Sequence, residues 1–136
     1  MKMEKIELVG SVFTGMGRGA HFLSIESFVK QFKKKLGYKP FPGTLNLKLD
    51  KKYIEIKKRL FLNKGVRIDG FVENGVEYGG ASCYAVKVNK KIRGHALKID
   101  KTCYGEDVIE IIAPICLRKK FNLKDGDLVR IESILY

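Results

Sequence analysis

Cysteine and histidine are scarce in this chain of 136 residues, and their arrangement excludes two kinds of small domain. The three cysteines, Cys83, Cys103 and Cys116, form no CxxC pair, and the two histidines, His21 and His95, lie far apart. The ligand spacing of a zinc site and the even cysteine count of a disulfide framework are therefore both missing. We expect reduced, mostly buried cysteines, because free cysteine tends to be buried in folded proteins.

Long apolar runs are missing as well. No run approaches the ~18–20 residues that a membrane-spanning helix needs. The N-terminus also lacks the apolar core of a signal peptide. We therefore expect a cytoplasmic protein that makes no contact with a membrane.

Acidic residues are few: 15 Asp and Glu stand against 27 Lys and Arg, which gives a formal net charge of +12. This excess favours an anionic partner, which could be nucleic acid, a phosphorylated substrate or an acidic surface. Most of the lysines occur in separate pairs and triplets, however, and such clusters are typical of solvated faces. Charge alone does not choose between these partners. The clusters lie at residues 33–35, 51–52, 57–59, 90–91 and 119–120.

The chain does contain the pattern of a folded, mainly β domain. Hydrophobic residues make up 45% and charged residues 31%, and no repeat or linker divides the sequence, so we expect one domain over residues 1–136. Many short strands with one good helix predict a compact β-barrel with helical inserts, not a doubly wound fold. The predicted strands cover residues 6–13, 43–49, 66–73, 76–88, 92–99, 108–113 and 128–134. Asn74-Gly75 predicts a tight hairpin turn.

One helix is clearly predicted over residues 25–36. Its apolar residues recur at a helical spacing and form one stripe, which packs on a core. Ser24 can cap its start and Gly37 can end it. A second, short helix over residues 115–121 can begin after Pro114. The stripe consists of Ile25, Phe28, Val29, Phe32 and Leu36.

Three glycines in five residues, Gly15, Gly17 and Gly19, follow the first predicted strand. The run lacks the Gly-Lys-Ser/Thr of a Walker A loop and does not fit the dinucleotide spacing GxGxxG. A glycine-rich turn and a phosphate cradle both agree with it. In the cradle, exposed backbone N–H groups would bind an anion, with Arg18 and His21 nearby.

Thr44 and Asn46 project from one face of the strand 43–49, because alternate leucines occupy the other face. Both offer hard oxygen atoms, and Mg²⁺ prefers oxygen ligands and often takes only one or two from protein. The alternative is that both are ordinary polar residues facing solvent.

Glu110 has apolar neighbours on its own face of the strand 108–113. Such a carboxylate lies either at an exposed edge or where it is held for a polar ligand. Arg118, four residues past Pro114, could reach a phosphate or a base.

These pieces occur in the order found in one family: the sequence resembles the archaeal CTP-dependent riboflavin kinases. The resemblance rests on the blocks GMGRGAHFLS (15–24), PGTLNLKL (42–49) and EIIAPICLR (110–118) with FNLKDGD (121–127), whereas residues 50–101 match poorly. It implies a six-stranded cradle-loop β-barrel like other flavin-binding barrels. Some members carry a DNA-binding helix-turn-helix before the kinase domain. In this sequence the strand pattern of the barrel begins at residue 6, so we expect the stand-alone form.

The resemblance also implies an activity and a set of sites. The activity is Mg²⁺-dependent transfer of the γ-phosphate of CTP to the 5′-hydroxyl of riboflavin, which gives FMN and CDP. Thr44 and Asn46 match Mg²⁺ ligands, and Thr102 and Glu110 match flavin contacts, with Glu110 orienting the hydroxyl or accepting its proton. We expect a monomer with no nucleic-acid partner. The matching nucleotide contacts are Met16, Gly17, Arg18, Gly19, Ala20, His21, Ile115, Cys116, Leu117 and Arg118.

Two other functions stay open on the sequence. A DNA-binding regulator of the swapped-hairpin type would suit the charge of +12 and the turn at residues 123–129, but it has no use for Thr44 and Asn46 beside a glycine loop. A flavin carrier or sensor would keep the pocket without catalysis, but it would not need a metal. Steeply salt-dependent binding to duplex DNA would favour the regulator.

Overall fold

A computed structural model describes residues 3–135 of the chain. In chain order its elements are β1 (Glu4–Phe13), α1 (Arg18–Ser24), α2 (Glu26–Leu36), β2 (Leu45–Leu49), α3 (Lys51–Phe61), β3 (Val66–Ile68), β4 (Phe71–Glu73), β5 (Val76–Tyr78), β6 (Ala81–Val88), β7 (Ile92–Ile99), β8 (Val108–Ile112), α4 (Leu117–Lys120) and β9 (Leu128–Leu135). None of the helices described is long and apolar enough to cross a membrane.

Six of the strands close into an antiparallel barrel. The order is β6-β7-β8-β2-β1-β9, and β9 pairs again with β6 through Lys87–Glu132 and Val88–Ile131. Closure satisfies the backbone hydrogen bonds that an open sheet would leave at its edges. Strand β3 extends the sheet beside β6, and β4 and β5 form a separate ribbon. The six-stranded barrel that the resemblance implies is confirmed.

The barrel wall has two apolar sides. Its interior holds one buried cluster to which all six strands contribute, including Leu47 of β2 and Ile111 of β8. A second cluster lies on the outer face, where Phe28 and Phe32 of α2 pack against Leu97 of β7 and its neighbours. The helical layer of α1 and α2 therefore covers part of the outside of the barrel.

The predicted helix at 25–36 is confirmed as α2, but its predicted cap is wrong. The helix ends at Gly37, whose φ is 86° and whose N–H donates to the Lys33 carbonyl. At the other end the N-cap is Ile25, and the Ser24 hydroxyl donates to the His21 carbonyl instead. The reason is that Ser24 already belongs to the preceding helix α1.

Helices α1 and α3 were not predicted. The residues of α3 mix charged side chains with Ile54 and Ile56, whose spacing of two is a strand pattern. Because α3 packs on the barrel, the prediction that the cluster at 57–59 is a solvated face is wrong for Lys57. That residue is only 7% exposed, its ammonium donates to the Val108 carbonyl at 3.1 Å, and burial lowers its pKa.

Two predicted strands, 66–73 and 76–88, are each divided in two. The tight turn between them is confirmed, with Asn74 and Gly75 at φ 51° and 76°. The divisions lie where the backbones cross closely, since a Cβ on Gly80 would be 2.1 Å from the Ile68 carbonyl oxygen. The other predicted strands appear as β1, β2, β7, β8 and β9, and the short helix 115–121 is reduced to α4.

The cysteines are free, but only one of them is buried. Cys83 is buried in the outer cluster, where burial raises the pKa of its thiol to about 12, whereas Cys116 is half-buried and Cys103 exposed. The prediction of mostly buried cysteines is therefore wrong, because two of the three lie in connecting segments outside the sheet.

Candidate active site

Three polar side chains singled out in the sequence lie together on the outer face of the barrel. Asn46 of β2 is paired with Glu110 of β8, and Thr44 immediately precedes β2. Asn46 and Glu110 are only 8% and 7% exposed, and Thr44 is half-buried. The solvent-facing alternative for Asn46 and the exposed-edge alternative for Glu110 are therefore wrong. We call Thr44, Asn46 and Glu110 the oxygen cluster.

A single hydroxyl proton is shared within the oxygen cluster. Thr44 Oγ1 donates to Asn46 Oδ1 at 2.8 Å. Burial raises the pKa of Glu110, and a hydrogen bond with Thr44 opposes part of that rise. With Glu110 ionised, the cluster holds more oxygen acceptors than protons. Such a donor set suits a hard cation or the hydroxyl group of a ligand.

The glycine run, residues 15–19, lies directly over the oxygen cluster. A Cβ on Gly15 would be 2.3 Å from Asn46 Nδ2, and a Cβ on Gly19 would be 2.6 Å from Thr44 Oγ1. These distances are too short for a Cβ, so a side chain at either position would displace Asn46 or Thr44, and glycine lets the backbone approach without that shift. The structure thus joins two features that are separated by some 30 residues in the sequence.

Tyr104 is a contact of this site that the sequence analysis missed. Its hydroxyl accepts a hydrogen bond from the Met16 N–H at 3.0 Å, and its ring packs edge-on against Phe13 with centroids 5.6 Å apart. Its own N–H donates to Thr102 Oγ1 at 3.2 Å. The predicted flavin contact Thr102 is exposed, and Tyr104 connects its segment to the glycine run. Only its closeness to Thr102 in the sequence could have drawn attention to Tyr104.

Arg118 brings the second predicted nucleotide segment to the same place. Its guanidinium pairs with Asp125 at 2.7 Å and donates to Thr14 Oγ1 at 3.3 Å, and Thr14 directly precedes the glycine run. Hydrogen bonds from Arg118 and Thr14 hold the pKa of Asp125 below its usual range. The segment 115–118 and the glycine run are therefore neighbours in space.

The other predicted nucleotide contacts differ in exposure. Met16 and Ile115 are 61% and 41% exposed, and among residues 3–135 no ion pair engages Arg18. Leu117 is 4% exposed and packs in the barrel interior, so only its backbone could face a ligand. The remaining positions, Gly17, Ala20, His21 and Cys116, are exposed or half-buried.

A cavity of about 910 Å³ lies elsewhere, beside strands β6, β7 and β9. Tyr38, His95 and Glu132 are among its lining residues, and none of the predicted site residues lines it. The Tyr38 hydroxyl and His95 Nδ1 are 2.7 Å apart there, and burial lowers the pKa of His95. We place the candidate site at the oxygen cluster, because that is where buried oxygens and close backbone approach coincide.

Comparison with known proteins identifies the family. A family model named for CTP-dependent riboflavin kinases, and described as a domain of unknown function, DUF120, matches residues 12–133. The chain is 42% identical over 130 residues to a riboflavin kinase of Pyrobaculum aerophilum, 40% over 128 residues to one of Methanococcoides burtonii, and 38% over 130 residues to one of Archaeoglobus fulgidus.

These alignments cover 96%, 94% and 96% of this chain but 61%, 57% and 55% of the three relatives. The chain therefore spans less than two thirds of their length. The family model, by contrast, matches nearly all of the chain, including the glycine run and the oxygen cluster. The chain belongs to the family of CTP-dependent riboflavin kinases.

Proposed function

We propose that the chain transfers the γ-phosphate of CTP to the 5′-hydroxyl of riboflavin, giving FMN and CDP, with Mg²⁺ as the metal ion. The observation that carries the proposal is the oxygen cluster of Thr44, Asn46 and Glu110 directly beneath a glycine run. Relatives called riboflavin kinases support the acceptor, and the name of the family supports the donor.

The nucleotide would lie along the glycine run and the segment 115–118. First-turn N–H groups of a helix have no intrahelical partner, so those that follow Gly17 can donate to phosphate oxygens. Among residues 3–135 the exposed Arg18 guanidinium has no acidic partner, whereas Arg118 is paired with Asp125. In this proposal Arg18 and the backbone N–H groups bind the phosphates, and Arg118 holds the glycine run in position.

Thr44 and Asn46 would hold the Mg²⁺ ion. Their two oxygens lie 2.8 Å apart, so one ion can contact both, and both are hard oxygen donors of the kind that Mg²⁺ prefers. Mg²⁺ bound there would neutralise charge on the phosphate oxygens during transfer. With an ion bound, the Thr44 hydroxyl proton would turn away from Asn46 Oδ1, which accepts it at 2.8 Å.

Glu110 would orient the acceptor hydroxyl of riboflavin. In its ionised form the carboxylate accepts a hydrogen bond from that hydroxyl and holds the oxygen in line with the phosphorus, which is the main work of a phosphoryl-transfer site. Thr102 would contact the flavin from the neighbouring segment. A Glu110→Gln protein that binds riboflavin normally yet loses nearly all turnover would contradict a role limited to orientation and favour a general base.

We further propose a single domain, acting as a monomer in the cytoplasm without nucleic acid. The unbroken barrel and its single interior cluster support the first point. Size-exclusion chromatography with light scattering tests the oligomeric state, and a salt titration of duplex DNA binding tests the regulator alternative.

The deciding experiment is to incubate the protein with riboflavin, Mg²⁺ and each of CTP, ATP, GTP and UTP, and to quantify FMN by chromatography. FMN formed chiefly with CTP, and lost on removal of the metal, is the expected result. Thr44→Ala should abolish turnover, whereas the matched control Thr44→Ser keeps the hydroxyl and should retain it. Flavin binding without FMN formation would indicate a carrier. A chain that neither binds flavin nor forms FMN would overturn the assignment.

A further inference from the structure

Residues 100–107, which we call the Tyr104 segment, are held at their two ends. At one end Asp100 pairs with Arg67 of β3. At the other end Asp107 pairs with Lys48 at 2.6 Å, and its carbonyl accepts the Leu49 N–H at 2.7 Å. Between these anchors the segment is mostly exposed, and Tyr104 is its half-buried residue. Two exposed ion pairs, Lys101–Glu77 at 3.3 Å and Glu106–Lys58 at 3.0 Å, also hold the segment. Tyr104 provides its contact with the glycine run.

Tyr104 contacts the glycine run in two ways. Its hydroxyl accepts the Met16 N–H at 3.0 Å. The same hydroxyl also lies against Gly15, where a Cβ would be 2.2 Å away. The ring is fixed by Phe13, which is paired in the sheet with Asn46 of the oxygen cluster. A shift of Tyr104 would therefore move the glycine run relative to Asn46.

Thr102 connects Tyr104 to the flavin side of the site. Thr102 Oγ1 accepts the Tyr104 N–H at 3.2 Å. A hydroxyl that accepts one hydrogen bond still has its own proton to donate, so Thr102 can bind an acceptor atom of a ligand without releasing Tyr104. A ligand that fixes Thr102 thus also fixes the residue that supports the glycine run.

From these contacts we propose that Tyr104 is a positioning residue that couples the flavin site to the nucleotide site. The inference rests on the proposed function. Riboflavin bound at Thr102 holds the Tyr104 segment, Tyr104 holds the glycine run over the oxygen cluster, and the nucleotide then binds to a loop that is already ordered. Because linkage is reciprocal, the nucleotide must strengthen riboflavin binding by the same factor.

The test measures nucleotide affinity with and without the flavin. CDP is used as the probe because it has no γ-phosphate to transfer. Calorimetric titration of CDP with Mg²⁺ into the full chain should give a dissociation constant that falls by about two- to tenfold when riboflavin is saturating, the range expected for one neutral hydrogen bond. Tyr104→Phe keeps the ring but removes the acceptor, so its coupling factor should approach one.

The matched control is Tyr53→Phe. Tyr53 lies in α3 and packs against the interior cluster of the barrel, and no hydrogen bond of its hydroxyl is found among residues 3–135. This variant should keep the wild-type coupling factor. Riboflavin affinity measured alone should change less than twofold in Tyr104→Phe, and its thermal unfolding should match wild type, which excludes a general loss of structure.

A second readout does not depend on ligands. The Met16 amide should exchange with solvent several-fold faster in Tyr104→Phe than in wild type, because its acceptor is gone. Equal coupling factors in Tyr104→Phe and wild type, or no coupling in wild type, would overturn the inference. If the wild type still formed FMN, the proposed function would stand. A wild-type chain that binds neither CDP nor riboflavin would overturn both.

Discussion

Strands β2 and β8 bury residues on both sides of the barrel wall, and around the pair Asn46–Glu110 the two sides differ in chemistry. Towards the barrel interior they present Leu45, Leu47, Ile109 and Ile111, all at most 4% exposed. Towards the glycine run the residues between them are Asn46 and Glu110. At this point of each strand the neighbouring residues are therefore all buried, yet those on the inside are apolar, whereas Asn46 and Glu110 carry an amide and a carboxyl group.

The difference separates stability from function along a single strand. Burying an aliphatic side chain contributes roughly 1.5–3 kcal/mol to folding. Burying a carboxylate costs free energy unless hydrogen bonds or a charge offset it. The oxygen cluster is thus retained at some cost to stability, which is expected of a binding or catalytic site and not of a structural core. Substitutions on the two faces should have opposite consequences.

Asn46→Ala should produce the largest effect of the substitutions compared along the two faces, and chiefly on activity. Removing one proposed Mg²⁺ ligand is expected to lower the rate of FMN formation by about 100-fold or more. The free energy of unfolding should change by only about 1 kcal/mol, since one hydrogen bond from Thr44 is lost. Initial rates and urea unfolding measure the two quantities, and an Asn46→Ala protein with wild-type turnover would remove Asn46 from the site.

Leu47→Ala should have the reverse effect, one residue along the same strand. Leu47 is 0% exposed in the barrel interior, and truncating such a leucine costs about 2–5 kcal/mol of unfolding free energy. Turnover per folded molecule should stay within about twofold of wild type, as measured below the melting transition. A folded Leu47→Ala protein that lost most of its turnover would show that the two faces are not independent.

Gly15→Ala and Gly17→Ala should likewise differ, the first lowering mainly turnover and the second mainly stability. A Cβ on Gly15 would meet Tyr104 Oη and Asn46 Nδ2 at 2.2 and 2.3 Å, so the oxygen cluster must shift and turnover should fall by about 10- to 100-fold. A Cβ on Gly17 meets nothing within 4 Å, and only its φ of 79° is unfavourable. That costs about 1 kcal/mol of stability. Equal turnover in the two variants would contradict the close approach.

The smallest effect concerns the pH dependence that comes from Glu110. Burial raises the pKa of its carboxyl above the value in the unfolded chain. The stability contributed by the protonated form is therefore complete below the unfolded pKa and is lost as pH rises through the folded pKa. Glu110→Gln has no charge to bury, so its stability relative to wild type should rise across this acid range, as urea unfolding at several pH values would measure.

The activity of the wild type should also depend on the titration of Glu110, because protonation of its carboxyl should lower the rate. Protonation of Glu110 weakens it as an acceptor for the riboflavin hydroxyl, so the rate should fall on the acid side at a higher pH than for an ordinary glutamate. The acid limb should be missing from Glu110→Gln, whatever activity that variant retains. An acid limb that persists unchanged in Glu110→Gln would assign the titration to another group.

Local pattern accounts for the parts of the fold that were predicted. The alternating leucines of β2 and the apolar stripe of α2 each repeat within a few residues, so periodicity is enough to identify them. Helix α3 was missed because charged residues and two isoleucines gave no clear period. It became a helix through its packing on the barrel, where even Lys57 is buried. Tertiary packing overrode a weak local preference there.

In the candidate site, too, some residues are indicated by the sequence and others are revealed only by the fold. The sequence draws attention to Thr44, Asn46, Glu110 and the glycine run, but each of them has more than one interpretation there. Tyr104 carries no such signal, because its contacts with the glycine run and with Phe13 join residues that are about 90 positions apart.

By itself, the sequence determined a β-rich barrel domain, one strong helix, and the oxygen-bearing and glycine positions that chemistry could use. The tertiary structure decided that Asn46 and Glu110 are buried side by side and that the glycine run covers them. It also decided that Tyr104 and Arg118 connect the segments around the site. The physical reason is that periodicity reports only which face of a strand a side chain occupies. What lies against that face depends on strand order and on barrel closure, which bring together residues that are distant along the chain.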